Sequence, residues 1–520
     1  MITAICAAAV LTGAVSVTAG AASIDDEALT AAPFAAEPTG ENNLPAAYSS
    51  LEHGYVTGAK TQTGNDCWVY ATLGTLESKL LQLGYSNIDM SDTHLNLWAT
   101  TRDNGKGWIR NTSGAAYCST GAGYLASWQG GVLAADATDL IASQIPTGDK
   151  VPTDRARWGV TSIRYLNGES RDVIKRAIME NGGIAAGYSH NSSYLRNNVA
   201  YFLPPSYNGV NNGHLVEIVG WNDNYSKTNF RDTPQNDGAW LMKSSWGTGN
   251  PLNGFYWISY EDKWLFGSKY KPAMAIETLE EITDDKKMVQ NEIYGATYEF
   301  DYLDQNEITF VNRLHFDEEY ALLDKVIFET RCSGASYSLY YVPDESGAPV
   351  SNQSAWIPLG SGVTDYAGYI CADIDDIELP DAVGSIAVTL HSNNSAATIG
   401  VDEWLTASGD YVFLNESEYG MSYLYQNGKM TDLMQWYKDE NDDDIGGTFV
   451  IKALTRQPET GDVNLDGMVN IDDATLVQRY LVELATLSDR QLALSDVNHD
   501  GIIDISDVTT IQMIIAGYFE

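Results

Sequence analysis

The C-terminus carries the same twelve-residue loop twice, and no other feature narrows the folding options of this chain as sharply. One copy runs from Asp462 through Asn464, Asp466, Gly467, Met468 and Asn470 to Asp473. The other runs from Asp496 through Asn498, Asp500, Gly501, Ile502 and Asp504 to Asp507, 34 residues further on. Oxygen-bearing side chains stand at positions 1, 3, 5, 9 and 12, position 7 offers a main-chain carbonyl, and position 6 is the glycine that a sharp turn needs. This is the donor pattern for calcium, a hard cation that takes six to eight oxygens. The candidate ligands are therefore Asp462, Asn464, Asp466, Met468, Asn470 and Asp473 in one loop, and Asp496, Asn498, Asp500, Ile502, Asp504 and Asp507 in the other. They imply two structural Ca2+ ions. The last donor is Asp, where such loops more often carry Glu. Each loop leads into a helix with an apolar face, Leu476, Val477, Tyr480 and Leu481 in the first, Thr510, Ile511, Ile514 and Ile515 in the second. No incoming helix is expected before either loop.

A duplicated loop-helix unit of this size resembles a dockerin, the module that plugs extracellular enzymes into the cohesin of a scaffoldin. The resemblance implies a small α-helical calcium-binding module over 461–520, a cohesin partner and a cellulosome-type scaffold. Such a module buries little core, so the metal is expected to supply part of its folding free energy.

A chain of 520 residues has length for three or four domains. Its formal charge of -40 repels phosphate backbones and anionic membranes, which argues against nucleic acid as a partner. Ile2 to Val17 is apolar and is followed by Ala19-Gly20-Ala21, the layout of a signal peptide over 1–21. No Lys or Arg precedes it, an absence consistent with a start upstream of Met1. No other stretch reaches membrane-spanning length, so a secreted protein is expected, with no membrane span after signal removal. Cys67, Cys118, Cys332 and Cys371 remain in the mature chain, too few for a disulfide scaffold. Pairing of Cys332 with Cys371 is left open by the sequence.

Residues 22–43 read as a linker. From 44 to 271 the pattern is α+β. A helix opens at Cys67 with Val69, Leu73, Leu76 and Leu80 on one face, and a second spans Ser170 to Asn181. Strands are expected at Ile184 to Tyr188, Leu215 to Trp221, Ala239 to Met242 and Phe255 to Ser259. From 272 to 454 short strands alternate with turns, including Lys325 to Arg331, Ser336 to Val342, Ser385 to Leu390 and Gly447 to Leu454. That spacing points to an all-β sandwich. A polar linker at 455–460 follows.

The chemistry lies in the α+β part. A thiol at the start of a helix, as at Cys67-Trp68, feels the positive end of the helix dipole, which favours the thiolate nucleophile. Gln62, five residues upstream, carries a donor suited to a developing oxyanion. His214 opens a strand 147 residues after Cys67, and the run Trp240-Leu241-Met242-Lys243-Ser244-Ser245-Trp246-Gly247 follows it. In this order these residues resemble the papain-like cysteine peptidases over 44–271. The resemblance implies a two-lobed α+β fold, with Cys67 as nucleophile, His214 as its base and later acid, and Gln62 with the Cys67 N–H as oxyanion hole. Asn212-Gly213 before the histidine and Asn253-Gly254-Phe255-Tyr256 fit the same pattern. The family's histidine-orienting Asn falls on Ser244, a shorter group. The Gln-to-Cys interval is one residue short, the usual disulfide cysteine is absent, and 22–43 is too short for the inhibitory pro-segment. A lectin-like sandwich after the peptidase resembles a bacterial branch of the family.

The expected function is a secreted cysteine endopeptidase, docked to a scaffold, that acts on protein or peptide substrates. The rival is a catalytically silent papain-like binding protein of the same scaffold, and a weaker third reading is a carbohydrate-binding component. His94 is read as structural, and His190 as a surface residue rather than one that approaches a specificity pocket. Trp356, Trp404 and Trp436 are read as structural aromatics, and the acidic run Asp439 to Asp444 as a solvated loop.

Overall fold

A computed structural model describes residues 44–518 of the chain, apart from 104–106, 142–143, 146, 210–211, 268–271, 293, 302–304, 394–395, 405–411, 415–416 and 441–445. The expected signal and linker at 1–43, and residues 441–444 of the acidic run, lie outside the described residues. Among the described residues the helices are α1 (Cys67–Gln82), α2 (Asp92–Trp98), α3 (Cys118–Ala126), α4 (Arg171–Asn181), α5 (Leu433–Glu440), α6 (Ile471–Leu481), α7 (Asp489–Ser495) and α8 (Ile505–Ile515).

The architecture is multidomain, as the sequence implies. Its first region has two lobes. A helical lobe is built around α1, α2 and α3, with Trp68, Leu76, Leu95, Trp98 and Tyr124 in its core. The facing lobe is a sheet of antiparallel strands in the order Ile184–His190, Asn212–Asn222, Ala239–Lys243 and Phe255–Ser259, packed with α4. Ser170 caps α4, where its hydroxyl accepts the Val173 N–H, and Gly182 ends it at a φ of 79° that a side chain tolerates poorly. The sequence pattern gives α1 one apolar face, but α1 lies between the lobes and is buried on nearly every side. A helix enclosed all round must find partners for its polar residues. Thr75 donates to the Ala71 carbonyl at 2.9 Å, Lys79 to Asn181 at 2.7 Å and Ser78 to Glu217 at 2.5 Å.

The sandwich is not a separate bead. Its strand Gly368–Glu378 pairs with Trp158–Tyr165 of the first region, so one 13-stranded sheet runs through both. The strand Met274–Glu281, beyond residue 271, also pairs with Trp158–Tyr165. Gly368 is required at the crossing, where its φ is 142° and a Cβ would collide with the Ile163 carbonyl. A 7-stranded sheet covers the other side, and Phe310, Phe328, Leu339, Val388 and Ile451 fill the space between. Trp356 is buried, as expected, in a separate cluster with Val311, Val342, Ala387 and Tyr423, and Trp436 packs against the core between the sheets. The described cysteines are all free thiols, so no bridge joins Cys332 to Cys371.

The C-terminal region is helical. Val463, Ala474, Val477, Val508 and Ile511 form its core. Of the residues expected on the apolar face of α8, Ile511 is buried and Ile515 is 43% exposed, and Val508 takes its place inside. One expectation is corrected. The second loop does have an incoming helix, α7, which ends on Ser495 directly before Asp496. Ser488 and Gln491 close a capping box at its start, a signal already present in the sequence.

A buried ion pair within the sandwich holds a lysine that reaches the helical lobe. Lys452 and Glu292 are both 0% exposed and lie 2.6 Å apart, and Lys452 also donates to the Ala126 carbonyl at 3.0 Å. Burial raises the Glu292 carboxyl above its usual range and Lys452 opposes that rise. Lys452→Met leaves the carboxylate without its counter-charge, at an expected cost of about 3–5 kcal/mol at neutral pH. A carboxyl whose folded value lies above its unfolded one favours the fold in acid and opposes it as pH rises through the folded value. The destabilisation should therefore shrink as pH falls, which denaturant titrations of both proteins from pH 7 downward will measure.

Candidate active site and metal loops

Cys67 is the first residue of α1. Its cap residue, Asp66, accepts the Gly64 N–H at 3.1 Å rather than capping the helix with its side chain. The thiol therefore sits at the positive end of the helix dipole. Its Sγ accepts the Leu215 N–H at 3.5 Å, which places the helix start against the strand that carries His214. His214 Nε2 lies 3.1 Å from Ser244 Oγ, and Trp246 stacks on the ring at 4.2 Å with an interplanar angle of 11°. Cys67, His214 and Ser244 are 7%, 4% and 3% exposed.

Burial pushes the Cys67 thiol up to about 11, opposed by N–H groups of Leu215, Trp68 and Cys67 itself. Burial also holds the His214 imidazole well below its usual value, with His190 adding to the effect. Enclosure disfavours each of these charges when it stands alone. The same enclosure excludes water, which strengthens any charge interaction formed during a reaction.

Gln62 is fixed from several directions. Its Oε1 accepts the Ser245 hydroxyl at 2.6 Å, its Nε2 donates to the Gly64 carbonyl at 2.7 Å, and its main-chain N–H donates to Ser245 at 2.7 Å. Thr61 bridges Trp246 beside it. The short Gln-to-Cys interval is thus accommodated by pairing of this segment with residues 245–246. Ser245 was not singled out in the sequence, though it adjoins Ser244.

His190 departs from the sequence reading. It is not a free surface residue. Its ring meets Trp246 at 4.6 Å and Tyr201 at 5.5 Å, 6.3 Å from the His214 ring, with Nδ1 3.2 Å from the Tyr188 hydroxyl. Strand pairing sets Tyr188 directly opposite His214. His94 is enclosed elsewhere, between the Tyr124 hydroxyl at 2.8 Å and the Pro152 carbonyl at 2.7 Å.

The two C-terminal loops are wound alike. Asp473 accepts N–H bonds from Val463, Asn464 and Asn470, and Asp507 accepts them from Val497, Asn498 and Asp504. Asp462 accepts from Asp466 and Gly467, and Asp496 from Asp500 and Gly501. Left-handed backbone recurs at position 4, in Leu465 and His499, and at position 6, in Gly467 and Gly501. Among the described residues no three His, Cys, Asp or Glu side chains converge as a metal cluster. Here the first and last carboxylates of each loop turn onto main-chain amides. The donor chemistry, with carboxylate, amide and main-chain oxygens in a loop already wound, nevertheless fits a hard cation.

Residues 44–276 match the family model for the papain family cysteine protease, and residues 460–515 match that for the dockerin type I domain. No curated protein matches the chain. Among solved structures it is similar to the clostridial cysteine protease Cwp84 after propeptide cleavage. That match has 33% identity and a TM-score of 0.69, and covers 79% of this chain and 99% of that one. It is also similar to the cysteine protease and lectin-like domains of Cwp84, described as a surface layer associated protein of Clostridium difficile. Identity is again 33% and the TM-score 0.69, with 80% of this chain and 89% of that chain covered.

Dockerin type I domains bind calcium, and the loops here imply a proton that competes with it. Asp462 is pushed up to about 6, first by burial and then by neighbouring Asp473 and Asp466. Without metal, a carboxyl raised in the fold stabilises it in acid, and that contribution is lost as pH rises through about 6. The metal-free C-terminal region should therefore melt at a lower temperature at pH 7 than at pH 5, with calcium reversing the order. Calorimetry near pH 6 in buffers of different ionisation heat should register proton release on binding.

Proposed function

We propose that this chain, which belongs to the papain family of cysteine proteases, cleaves peptide bonds with Cys67 as nucleophile and His214 as its proton partner. The observation that carries the reading is the position of the imidazole. It is held between Ser244 at 3.1 Å and the Trp246 ring at 4.2 Å, on the strand whose next N–H meets the Cys67 sulfur. A proton on Nε2 is donated to Ser244, which leaves Nδ1 free to take the thiol proton. Sγ then attacks the peptide carbonyl carbon, and the oxyanion meets the Cys67 N–H and the Gln62 amide. As the C–N bond breaks, His214 returns the proton to the leaving amine. Water activated by the same imidazole hydrolyses the thioester, which restores the thiol and releases the acid. Gln62 suits this role because Ser245 pins its Oε1, so its NH2 group has a fixed direction.

We also read the C-terminal module as the attachment to a cohesin on an extracellular scaffold. Met468 and Ile502, at position 7 of the loops, are 62% and 63% exposed. Ile471 and Ile505, at position 10, are 56% and 63% exposed. Paired apolar residues left open on a small module suit a protein partner. The twelve loop residues named above would hold two calcium ions, which supply counter-charge to the loop carboxylates. The net charge of -40 and the apolar segment at 2–17 agree with secretion.

The test is turnover of a fluorogenic peptide library under reducing conditions. Cys67→Ala should abolish hydrolysis, and His214→Ala should lower it by about 100- to 10,000-fold. Ser244→Asn should keep or raise the rate, because the longer amide can reach the imidazole that the Ser244 hydroxyl now meets at 3.1 Å. Cleavage that survives Cys67→Ala would place the nucleophile elsewhere. Cohesin capture that persists unchanged in excess chelator would sink the attachment reading.

A further inference from the structure

Beneath the proposed catalytic pair lies a cluster of charges that the mechanism does not use. Glu217 is three residues along the strand from His214, and its side chain is fully enclosed. It pairs with Lys243 at 2.9 Å and accepts the Ser78 hydroxyl at 2.5 Å. Lys243, the residue before Ser244, also donates to Thr57 at 2.9 Å and lies 4.0 Å from Glu77. Glu77 in turn accepts the Thr57 hydroxyl, the Met90 N–H at 2.9 Å and Lys60 at 3.2 Å. Three elements are thereby joined: α1, which carries Cys67, the strand of His214 and the strand that ends at Lys243, next to Ser244.

The space for this cluster is built into the chain. A Cβ at Gly74, in the middle of α1, would collide with the Glu217 carboxylate, and so would one at Gly183. Glu217 meets α1 at Gly74 and Ser78, about two to three turns from Cys67, so it does not reach the reacting atoms. Serine has a shorter reach than asparagine. Its 3.1 Å bond to the imidazole therefore depends on where the backbone of residues 243–244 is held. Gly254 fixes that backbone at one point by accepting the Ser244 N–H at 3.0 Å. The side chain of Lys243 fixes it at another. A buried apolar pair would glue the lobes equally well, whereas a paired charge fixes direction and register.

We propose that Glu217, acting through Lys243, is a positioning residue that holds Ser244 at hydrogen-bond distance from His214. The inference rests on the role proposed above for Ser244. It explains why a glutamate stands in the run His214-Leu215-Val216-Glu217-Ile218-Val219, where apolar residues otherwise line the interior.

A double-mutant cycle on the full-length protein tests it, with kcat and KM measured separately on one fluorogenic peptide. Glu217→Gln keeps the volume and the contact with Ser78 but removes the charge that holds Lys243. In the native background it should lower kcat by about 10- to 100-fold, the scale of a misplaced catalytic group, and change KM little. In a Ser244→Ala background, where the bond to be positioned is gone, the same change should cost less than about 3-fold. An equal loss in both backgrounds, or no loss in the native one, would overturn the proposal. Should Glu217→Gln fail to accumulate as folded protein, Lys243→Gln replaces it in the same cycle. A fully active Ser244→Ala would instead remove the role of Ser244 itself, an outcome separate from equal losses on top of an impaired Ser244→Ala.

Discussion

The enclosure of α1 between two lobes is the constraint on which the rest of the molecule depends. A helix with solvent on one side can send its polar residues there; α1 cannot. Several of the polar groups on it meet partners from the opposite lobe or a neighbouring helix. Ser78 meets Glu217, Lys79 meets Asn181, and Glu77 meets Thr57, Lys60 and Met90. These bonds fix the rotation and height of the helix. The first turn of that helix presents the Cys67 sulfur, so polar satisfaction in the lobe interface also sets where the thiol stands relative to the His214 strand.

The sandwich contributes to the same frame. Its strand Gly368–Glu378 continues the sheet of the first region, and Lys452, paired with Glu292, reaches the Ala126 carbonyl of the helical lobe. Arg331 lies over the Tyr165 ring at 4.1 Å in the same zone. A sheet shared in this way lets strain in one region be felt in the other, because interiors packed at crystal-like density do not deform locally. The C-terminal module is joined more lightly. Arg490 of α7 pairs with Glu378 at 2.9 Å and donates to the Glu318 carbonyl at 3.0 Å, both at the surface.

What the sequence made legible was local. The calcium-type loops, the helix that opens at Cys67 and the strand of His214 each announce themselves through residue type and spacing within a short window. Ser244 and Gln62 followed from their place in a family pattern. The losses came where distant segments meet. Nothing within residues 158–165 says that they will pair with residues 368–369. The burial of the polar side of α1 was hidden for the same reason, as was the place of His190 against Trp246, which depends on strand register. The short helix α7 was missed although Ser488 and Gln491 mark its start, because seven residues carry little periodicity. Glu217 gave a usable signal, a charge within an apolar strand with Lys243 in the next, and that pairing becomes readable only once the register Glu217↔Lys243 is known.

The central claim is that the enclosed thiol at the head of α1 is the reactive one, and that His214 makes it so. Treating the full-length protein with a thiol-directed peptidyl epoxide and mapping the adduct by peptide mass spectrometry tests this most directly. The account predicts a single adduct, on Cys67, that forms much more slowly in His214→Ala. Modification of Cys118, Cys332 or Cys371 in preference to Cys67, or labelling of Cys67 at an unchanged rate without His214, would contradict it.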